Sequence, residues 1–144
     1  MPERDLVAGV MQLANLLTRR LAPIFARGKI TPQQWAVLSV LGESDQPMTL
    51  AAVARRLLVS KQNMTGMIAR LEQLGLADRS DDPNDLRSSR VVLTRRGRTL
   101  VEKMRPAYED WLASLGEEFS EKELGGLTRT LERLIARLES SPDQ

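Results

Sequence analysis

The chain has 144 residues, of which 42% are hydrophobic and only 3% aromatic, and its formal net charge is +2. This length suits about one domain with a largely aliphatic core. Cysteine and histidine are both absent, which excludes disulfides, thiol redox switches, Cys/His zinc sites and imidazole catalysis. No set of catalytic residues stands out, so we expect no enzyme, no cofactor and no metal. Because no apolar run could span a bilayer and the first residues lack the pattern of a secretory signal, we expect a cytoplasmic protein with no membrane partner.

The charge is unevenly distributed along the chain. Residues 55–105 carry twelve basic and six acidic groups, whereas residues 106–144 carry four basic and nine acidic groups. A basic middle in a nearly neutral chain is typical of a surface that binds a polyanion. An arginine-rich solvated face is the alternative that charge alone leaves open.

Apolar residues recur at helical spacing in the first two segments. The repeat over residues 3–26 predicts an amphipathic helix, with Pro23 bending or fraying its last turn and Gly28 ending it. Its stripe needs a partner that is distant in sequence or on another chain. A second helix begins at residues 31–34, TPQQ, a capping box with proline at the first helical position, and Gly42 is expected to end it. The apolar positions are Leu6, Val10, Leu13, Leu17 and Leu21 in the first helix and Trp35, Val37, Leu38 and Leu41 in the second.

Residues 49–75 have the pattern of a helix-turn-helix. Thr49 caps a short helix, a break follows at residues 58–59, and Ser60 caps a second helix that Gly75 ends. The inward positions are Leu50, Val53, Ala54 and Leu57 in the first helix and Met64, Met67 or Ile68, Leu71 and Leu74 in the second. The outward positions of the second helix are Lys61, Gln62, Asn63, Thr65, Gly66 and Arg70.

The outward face of this second helix suggests base reading in the major groove of DNA. Gln62 and Asn63 can each form two hydrogen bonds with adenine, and Lys61 and Thr65 can reach phosphates or guanine. An ordinary polar helix face is the competing interpretation. Such a face favours pairs of Glu and Lys, however, and this one has no acid before Glu72.

Residues 76–93 predict a β-hairpin with turn chemistry at residues 80–85. Its returning strand is residues 90–93, RVVL. An arginine on such a hairpin can enter a narrow A·T-rich minor groove, where the negative potential is enhanced. Asp85 can orient Arg87 or Arg90 through a charge-assisted hydrogen bond, or it can simply cap the turn.

Two further helices complete the chain. Thr94 caps a helix predicted from Arg95 to Phe119, which Pro106 is expected to bend. Ser120 and Glu123 form a capping box for the last helix, and the final residues are expected to fray. The stripes are Leu100 or Val101, Met104, Tyr108, Trp111 and Leu115 in the first of these helices and Leu124, Leu127, Leu131, Leu134 or Ile135, and Leu138 in the second.

This order of elements resembles the MarR family of bacterial transcription regulators over essentially the whole chain. The most specific part is residues 85–97, DLRSSRVVLTRRG, similar to the family wing signature D-x-R followed by apolar-x-Leu-Thr-x-x-Gly. Residues 60–65 and 71–76 resemble the recognition helix and its exit, and residues 31–38 resemble the second helix. The fold expected is mainly α, a winged helix-turn-helix with a small β-hairpin wing and dimerisation helices at both ends.

The resemblance implies an intertwined homodimer, divided into residues 1–30 and 98–144 for dimerisation and residues 31–97 for DNA binding. Two winged helices would then meet two half-sites of a roughly palindromic double-stranded operator. Gly66 stands where many members of the family have a larger, often basic, residue. The expected DNA-binding residues are Thr49, Ser60, Lys61, Gln62, Asn63, Thr65, Gly66, Arg70, Asp85, Arg87 and Arg90.

The resemblance also implies repression that a small organic effector relieves, often an aromatic or phenolic anion, with no effector at all as the alternative. Thiol sensing is excluded and zinc sensing of the family type is not expected, because Cys and His are absent. Trp35, Met104, Tyr108 and Trp111 are the expected effector residues, with a plain core role as the competing interpretation of each. Two rival functions remain, a non-specific architectural DNA-binding protein without effector response and a winged helix that binds other proteins.

Overall fold

A computed structural model describes residues 1–82 and 85–140, without the side chains of residues 82 and 85–88. Pro83 and Asn84 of the predicted turn and the predicted frayed tail after Ser140 lie outside the described residues. The fold is mainly α with a small antiparallel sheet, which confirms the predicted class. The elements are α1 (Pro2–Ala26), α2 (Pro32–Glu43), β1 (Met48–Thr49), α3 (Leu50–Leu57), α4 (Lys61–Gln73), β2 (Ala77–Asp82), β3 (Asp85–Leu93), α5 (Arg95–Leu115) and α6 (Glu121–Glu139).

The chain divides into two compact units, Met1–Arg105 and Pro106–Gln144. The first unit contains α1 to α4, the sheet and the beginning of α5, and the second contains the rest of α5 and α6. The division into dimerisation and DNA-binding regions at residues 30 and 97 stays a prediction, as does a bend at Pro106.

Short polar motifs start the helices where the sequence predicted. Thr31 Oγ1 accepts the Gln34 amide at 3.1 Å, and Gln34 Oε1 accepts the Thr31 amide at 2.9 Å. Ser120 and Glu123 form the same reciprocal pair at the start of α6. Each capping box satisfies amides that the first turn of a helix leaves without partners.

Two glycines near helix ends behave differently. Gly75 has a φ of +75° and follows α4 as predicted, because a residue without Cβ adopts this left-handed conformation at little cost. Gly42 was expected to end α2, but that helix continues to Glu43. A glycine ends a helix by adopting positive φ, and Gly42 does not.

The sheet is larger than the predicted hairpin. β1 was not predicted, since its two residues are too few for an alternating pattern, and it pairs with β3 as Met48 opposite Val91. The strand order is β1–β3–β2, all antiparallel. Residues 80–82 were predicted as turn and instead belong to β2, because they pair with β3.

Helix α5 is shorter than predicted. It ends at Leu115 rather than Phe119, and Gly116 follows it. Glycine disfavours a helix by about 1 kcal/mol relative to alanine, so the predicted last turn loses its support there.

The core of the first unit is aliphatic apart from one aromatic pair. Phe25 stacks on Trp35 with ring centroids 4.9 Å apart. The sequence left two inward positions open between neighbouring residues. On α4 Ile68 is buried and Met67 is half-buried, and on α5 Val101 is buried and Leu100 is half-buried. Leu57 and Leu74 are also half-buried rather than buried. The remaining buried hydrophobic residues include Val37, Leu38, Val40, Leu41, Leu50, Val53, Ala54, Met64, Leu71, Leu76, Val91, Leu93 and Met104.

The stripes of α1 and α6 stay largely uncovered in a single chain. On α1, Leu6 and Leu13 are 46% and 47% exposed, whereas Val10, Leu17 and Leu21 are half-buried. Among the described residues of α6 none is buried, and Leu127 is 53% exposed. The predicted burial of the α6 stripe is therefore not met within one chain. No helix in the described ranges is long and apolar enough to cross a membrane.

Candidate nucleic-acid interface

The first helix of the helix-turn-helix is held in place by its cap and by the break after it. Thr49 Oγ1 accepts the Ala52 amide at 3.1 Å. After α3, Leu58 adopts the left-handed conformation with φ of +57°, and the Val59 amide then donates to the Ala54 carbonyl oxygen at 3.0 Å. A left-handed leucine costs about 1–2 kcal/mol, so this sharp turn is stabilised by its surroundings.

Helix α4 presents two faces of opposite character. Ser60 Oγ caps it by accepting the Asn63 amide at 3.0 Å. Met64, Ile68 and Leu71 are fully buried and fix the rotation of the helix. The residues on the other side are all exposed as predicted, namely Lys61, Gln62, Asn63, Thr65, Gly66 and Arg70.

Several polar groups on this exposed face already have partners within the chain. The Thr65 hydroxyl donates to the Lys61 carbonyl oxygen at 2.9 Å, which leaves its oxygen free to accept. Arg70 Nη1 donates to Gln73 Oε1 at 3.3 Å. The hydroxyl oxygens of the two capping residues also have partners, since Thr49 and Ser60 each accept a backbone amide hydrogen.

A shallow cleft lies between α4 and the start of α2. Its volume is about 520 Å³, and Asn63, Gly66, Met67 and Arg70 form its α4 side. A Cβ added to Gly66 would meet nothing within 4 Å. The space that a larger residue would occupy at this position is therefore open.

The hairpin is fixed by a cross-strand bond that sequence reasoning missed. Ser89 is a buried polar residue, 5% exposed, and its hydroxyl donates to Asp81 Oδ1 at 2.8 Å. Arg79 Nε lies 3.9 Å from the same oxygen. The strand pairing shifts between Asp81 and Asp82. The sequence could not reveal this contact, because its turn chemistry placed Asp81 in the turn, whereas Asp81 lies in β2 directly opposite Ser89.

Arg90 is the predicted wing arginine whose side chain lies within the described residues. Arg90 is exposed and lies in β3 opposite Ser80 of β2. Asp85 and Arg87 belong to β3, but their side chains lie outside the described residues. The predicted pairing of Asp85 with an arginine therefore stays a prediction.

A compact hydrogen-bond junction joins the end of α4 to the start of α5. The Thr94 hydroxyl donates to the Gly75 carbonyl oxygen at 2.7 Å and accepts the Gly97 amide at 3.0 Å. The Thr94 amide donates to the Leu76 carbonyl oxygen at 3.1 Å. A Cβ on Gly97 would collide with that same Leu76 oxygen. Sequence reasoning found the cap but not the bond across to α4.

The predicted effector residues do not form one site within the first unit. Trp35 and Met104 are 6% and 3% exposed and belong to its core. Tyr108 and Trp111 are half-buried in the second unit. Within the described ranges no cluster of His, Cys, Asp or Glu could hold a metal ion.

A larger cavity of about 630 Å³ lies elsewhere in the first unit. Its walls come from the turn between α1 and α2, from the end of α4 and from the first turns of α5. Ile30, Leu74, Leu76 and Leu100 supply apolar surface. Its volume falls in the range of small-molecule sites.

Comparison with known proteins relates this chain to DNA-binding transcription regulators. A family model described as MarR family matches residues 29–88. The transcriptional activatory protein BadR of Rhodopseudomonas palustris is 34% identical over 131 residues, 90% of this chain and 74% of that protein. The homoprotocatechuate degradative operon repressor of Escherichia coli is 28% identical over 132 residues, 92% of this chain and 88% of that protein.

Solved structures of similar proteins have the same fold as this chain. Reduced AbfR bound to DNA is 27% identical with a TM-score of 0.81, covering 96% of this chain and 94% of that chain. The Staphylococcus aureus MepR–DNA complex has a TM-score of 0.84 at 20% identity, covering 91% of this chain and 96% of that chain. Both are winged helices in complex with DNA.

Proposed function

Because this chain belongs to the MarR family of DNA-binding transcription regulators, we propose that it is a homodimeric, operator-specific repressor that a small organic effector releases from DNA. It acts in the cytoplasm. The observation that carries this proposal is the exposed face of α4, where amides and cations stand together without an acid in the first turns.

Sequence-specific reading is supported by the rigid mounting of that face. Gln62 and Asn63 lie at the start of a helix whose rotation is set by buried Met64, Ile68 and Leu71. Amides held on a fixed element can form paired hydrogen bonds with adenine, worth about 1–3 kcal/mol of discrimination each. Lys61 and Arg70 would add phosphate contacts that carry no sequence information. On the hairpin, Arg87 and Arg90 are the residues assigned to the minor groove.

Dimerisation with a second copy of this chain is supported by the uncovered leucines. Leu6 and Leu13 on α1 and Leu127 and Leu138 on α6 are all more than a third exposed. Contiguous apolar stripes of this kind mark surfaces that a partner covers. A two-fold homodimer would cover both stripes and present two recognition helices to the two halves of a palindrome.

Repression, as one part of this proposal, is supported by a relative. The E. coli relative is named as the repressor of a degradative operon. A protein that must leave its operator when a small compound arrives needs a cavity connected to its recognition helix. The cavity next to the end of α4 provides one.

The experiment is footprinting of the purified protein on the DNA that flanks its own coding region, followed by affinity measurements on the protected site. We expect a protected pseudo-palindrome. Gln62→Ala and Asn63→Ala should each weaken operator binding by about 1–3 kcal/mol and leave binding to random duplex unchanged. The matched control is Gln46→Ala, an exposed amide on the loop before β1. Equal loss on both duplexes would contradict base reading and favour an architectural protein, and no binding at low salt would favour a protein-interaction module.

A further inference from the structure

Helix α4 carries a glycine that the described part of the chain does not explain. Gly66 is exposed in the middle of α4, and a Cβ added there would meet nothing within 4 Å. Its φ is not positive, so the backbone conformation does not require glycine. Glycine inside a helix is less stable than alanine, and one use that offsets this cost is the close approach of a ligand to the backbone. Gly66 therefore marks the point on the exposed face where a binding partner can come nearest to α4.

The cleft between α4 and the start of α2 opens beside Gly66. Val59 and Met67 supply apolar surface to it, and both are half-buried. Asn63 and Arg70 are exposed and belong to its α4 side. The cleft thus places a small apolar surface between an amide and a cation.

The α2 side of the cleft is polar and uncharged. Thr31 Oγ1 and Gln34 Oε1 accept each other's backbone amides in the capping box. Of the described residues that line the cleft, none is acidic. DNA, which is strongly negative, can therefore approach the cleft without repulsion from its walls.

The spacing along α4 matches the spacing of base pairs. Asn63 and Gly66 are three residues apart, which is about 4.5 Å along a helix axis, whereas successive base pairs of DNA are about 3.4 Å apart. A helix that sets Asn63 against an adenine therefore brings Gly66 close to the neighbouring base pair. Thymine presents an apolar group in the major groove, its C5 methyl, and apolar protein surface recognises it.

We propose that Gly66 is a specificity-determining residue, which lets the C5 methyl of an operator thymine enter the cleft and pack on Val59 and Met67. The thymine lies in the base pair next to the adenine that Asn63 contacts. This inference rests on the proposed operator binding and deepens it, because it assigns base identity to a contact without hydrogen bonds. Glycine lowers the stability of α4 but leaves room for the base.

The test measures the affinity of the full-length protein for the footprinted operator by fluorescence anisotropy, with each thymine replaced in turn by deoxyuridine. This replacement removes the C5 methyl and keeps the hydrogen-bonding atoms of the base. At one thymine position in each half-site we expect the affinity to fall by about fourfold, as for one methyl-sized group left unburied. Deoxyuridine outside the protected site is the matched control and should change nothing.

Two variants link this methyl effect to the cleft. Gly66→Leu fills the space and should weaken operator binding by about tenfold or more, and its affinities for the thymine and deoxyuridine operators should be equal. Val59→Thr keeps the shape of the side chain but replaces a methyl with a hydroxyl, so it should reduce the difference between the two operators. Gly116→Leu, just after α5, is the matched control and should leave both affinities unchanged.

Folding of the variants is checked by circular dichroism and thermal unfolding. Gly66→Leu should be at least as stable as the parent protein, because leucine favours a helix and its Cβ meets open space. A loss of operator affinity in this variant therefore reports on the contact with DNA and not on unfolding.

The outcomes separate this inference from the proposed function. A loss at one thymine that disappears in Gly66→Leu would support it. Equal affinity for all the substituted operators, or a loss that persists in Gly66→Leu, would overturn it while operator specificity stood. Equal weakening of operator and random duplex by Gly66→Leu would place the sugar-phosphate backbone in the cleft and would also overturn it. Wild-type protein that binds both duplexes equally would overturn the proposed function, and thymine reading with it.

Discussion

The Thr94 hydroxyl lies 2.7 Å from the Gly75 carbonyl oxygen and donates a hydrogen bond to it. One residue therefore links the end of α4 to the start of α5. Because Thr94 Oγ1 also accepts the backbone amide of Gly97, the position of the hydroxyl is set from two directions. The end of α4 and the start of α5 should move as one piece.

This junction makes Thr94 the first residue to test. Thr94→Ala removes both bonds and should lower the free energy of unfolding by about 1–2 kcal/mol, as expected for a lost helix cap. Thr94→Ser keeps the hydroxyl and should retain most of the stability of the parent protein. Urea unfolding measures both, and an alanine variant as stable as the parent would contradict the junction.

Gly97 and Gly66 form a matched pair of glycine-to-alanine substitutions. Gly97→Ala should destabilise the fold by about 3 kcal/mol, because its Cβ would collide with the Leu76 carbonyl oxygen. Gly66→Ala meets open space and should stabilise α4 by up to about 1 kcal/mol. Thermal unfolding of the two variants should shift in opposite directions. A shift in the same direction would show that one of the two environments is wrongly assigned.

The hydrogen bond between Ser89 and Asp81 predicts the effect of removing a single hydroxyl. Ser89→Ala should cost about 1 kcal/mol of stability, because buried Ser89 donates to Asp81. Ser80→Ala, on an exposed residue of β2, is the control and should be neutral. Chemical unfolding measures the free energy of unfolding of both variants. If the two values are equal, the hydrogen bond between Ser89 and Asp81 does not stabilise the hairpin.

The arginines of the wing predict a change in salt dependence. Arg87→Ala combined with Arg90→Ala should weaken operator binding by about 1–3 kcal/mol and reduce its salt dependence, since fewer counterions are released. Arg133→Ala on α6 should leave both unchanged. Affinity measured over a salt series gives the two quantities together. If the double variant binds as tightly as the parent at every salt concentration, the wing does not contact DNA.

The uncovered leucines predict a change of oligomeric state. Leu13→Glu on α1 and Leu127→Glu on α6 place a charge in stripes that are 47% and 53% exposed in one chain, and each should weaken the dimer because a buried unpaired charge is costly. Arg133→Glu is the control for charge change alone. Analytical ultracentrifugation reports the result. Wild-type protein that sediments as a monomer would remove the basis of this prediction.

Local motifs predicted most of the fold because each depends on a few neighbouring residues. The capping boxes at Thr31 and Ser120 and the positive φ of Gly75 all follow from local chemistry. The exposed face of α4 was predicted for a similar reason, since helical periodicity fixes which side chains share a side.

The missed features depend on contacts between distant residues. Ser89 meets Asp81, and Thr94 meets Gly75, only after the chain has folded back. Strand β1 is defined by its partner rather than by its own two residues. The cavity combines three segments whose aliphatic and basic residues look ordinary when each segment is taken alone. Such juxtapositions have no signature in a single sequence.

The most direct measurement of the central claim is a competition between the footprinted operator and random duplex of the same length at physiological salt. Specific regulators of this kind discriminate by about a thousandfold or more. We predict a ratio of at least that order, which Gln62→Ala and Asn63→Ala reduce and Gln46→Ala does not. A ratio near one for the wild-type protein would contradict operator reading by α4.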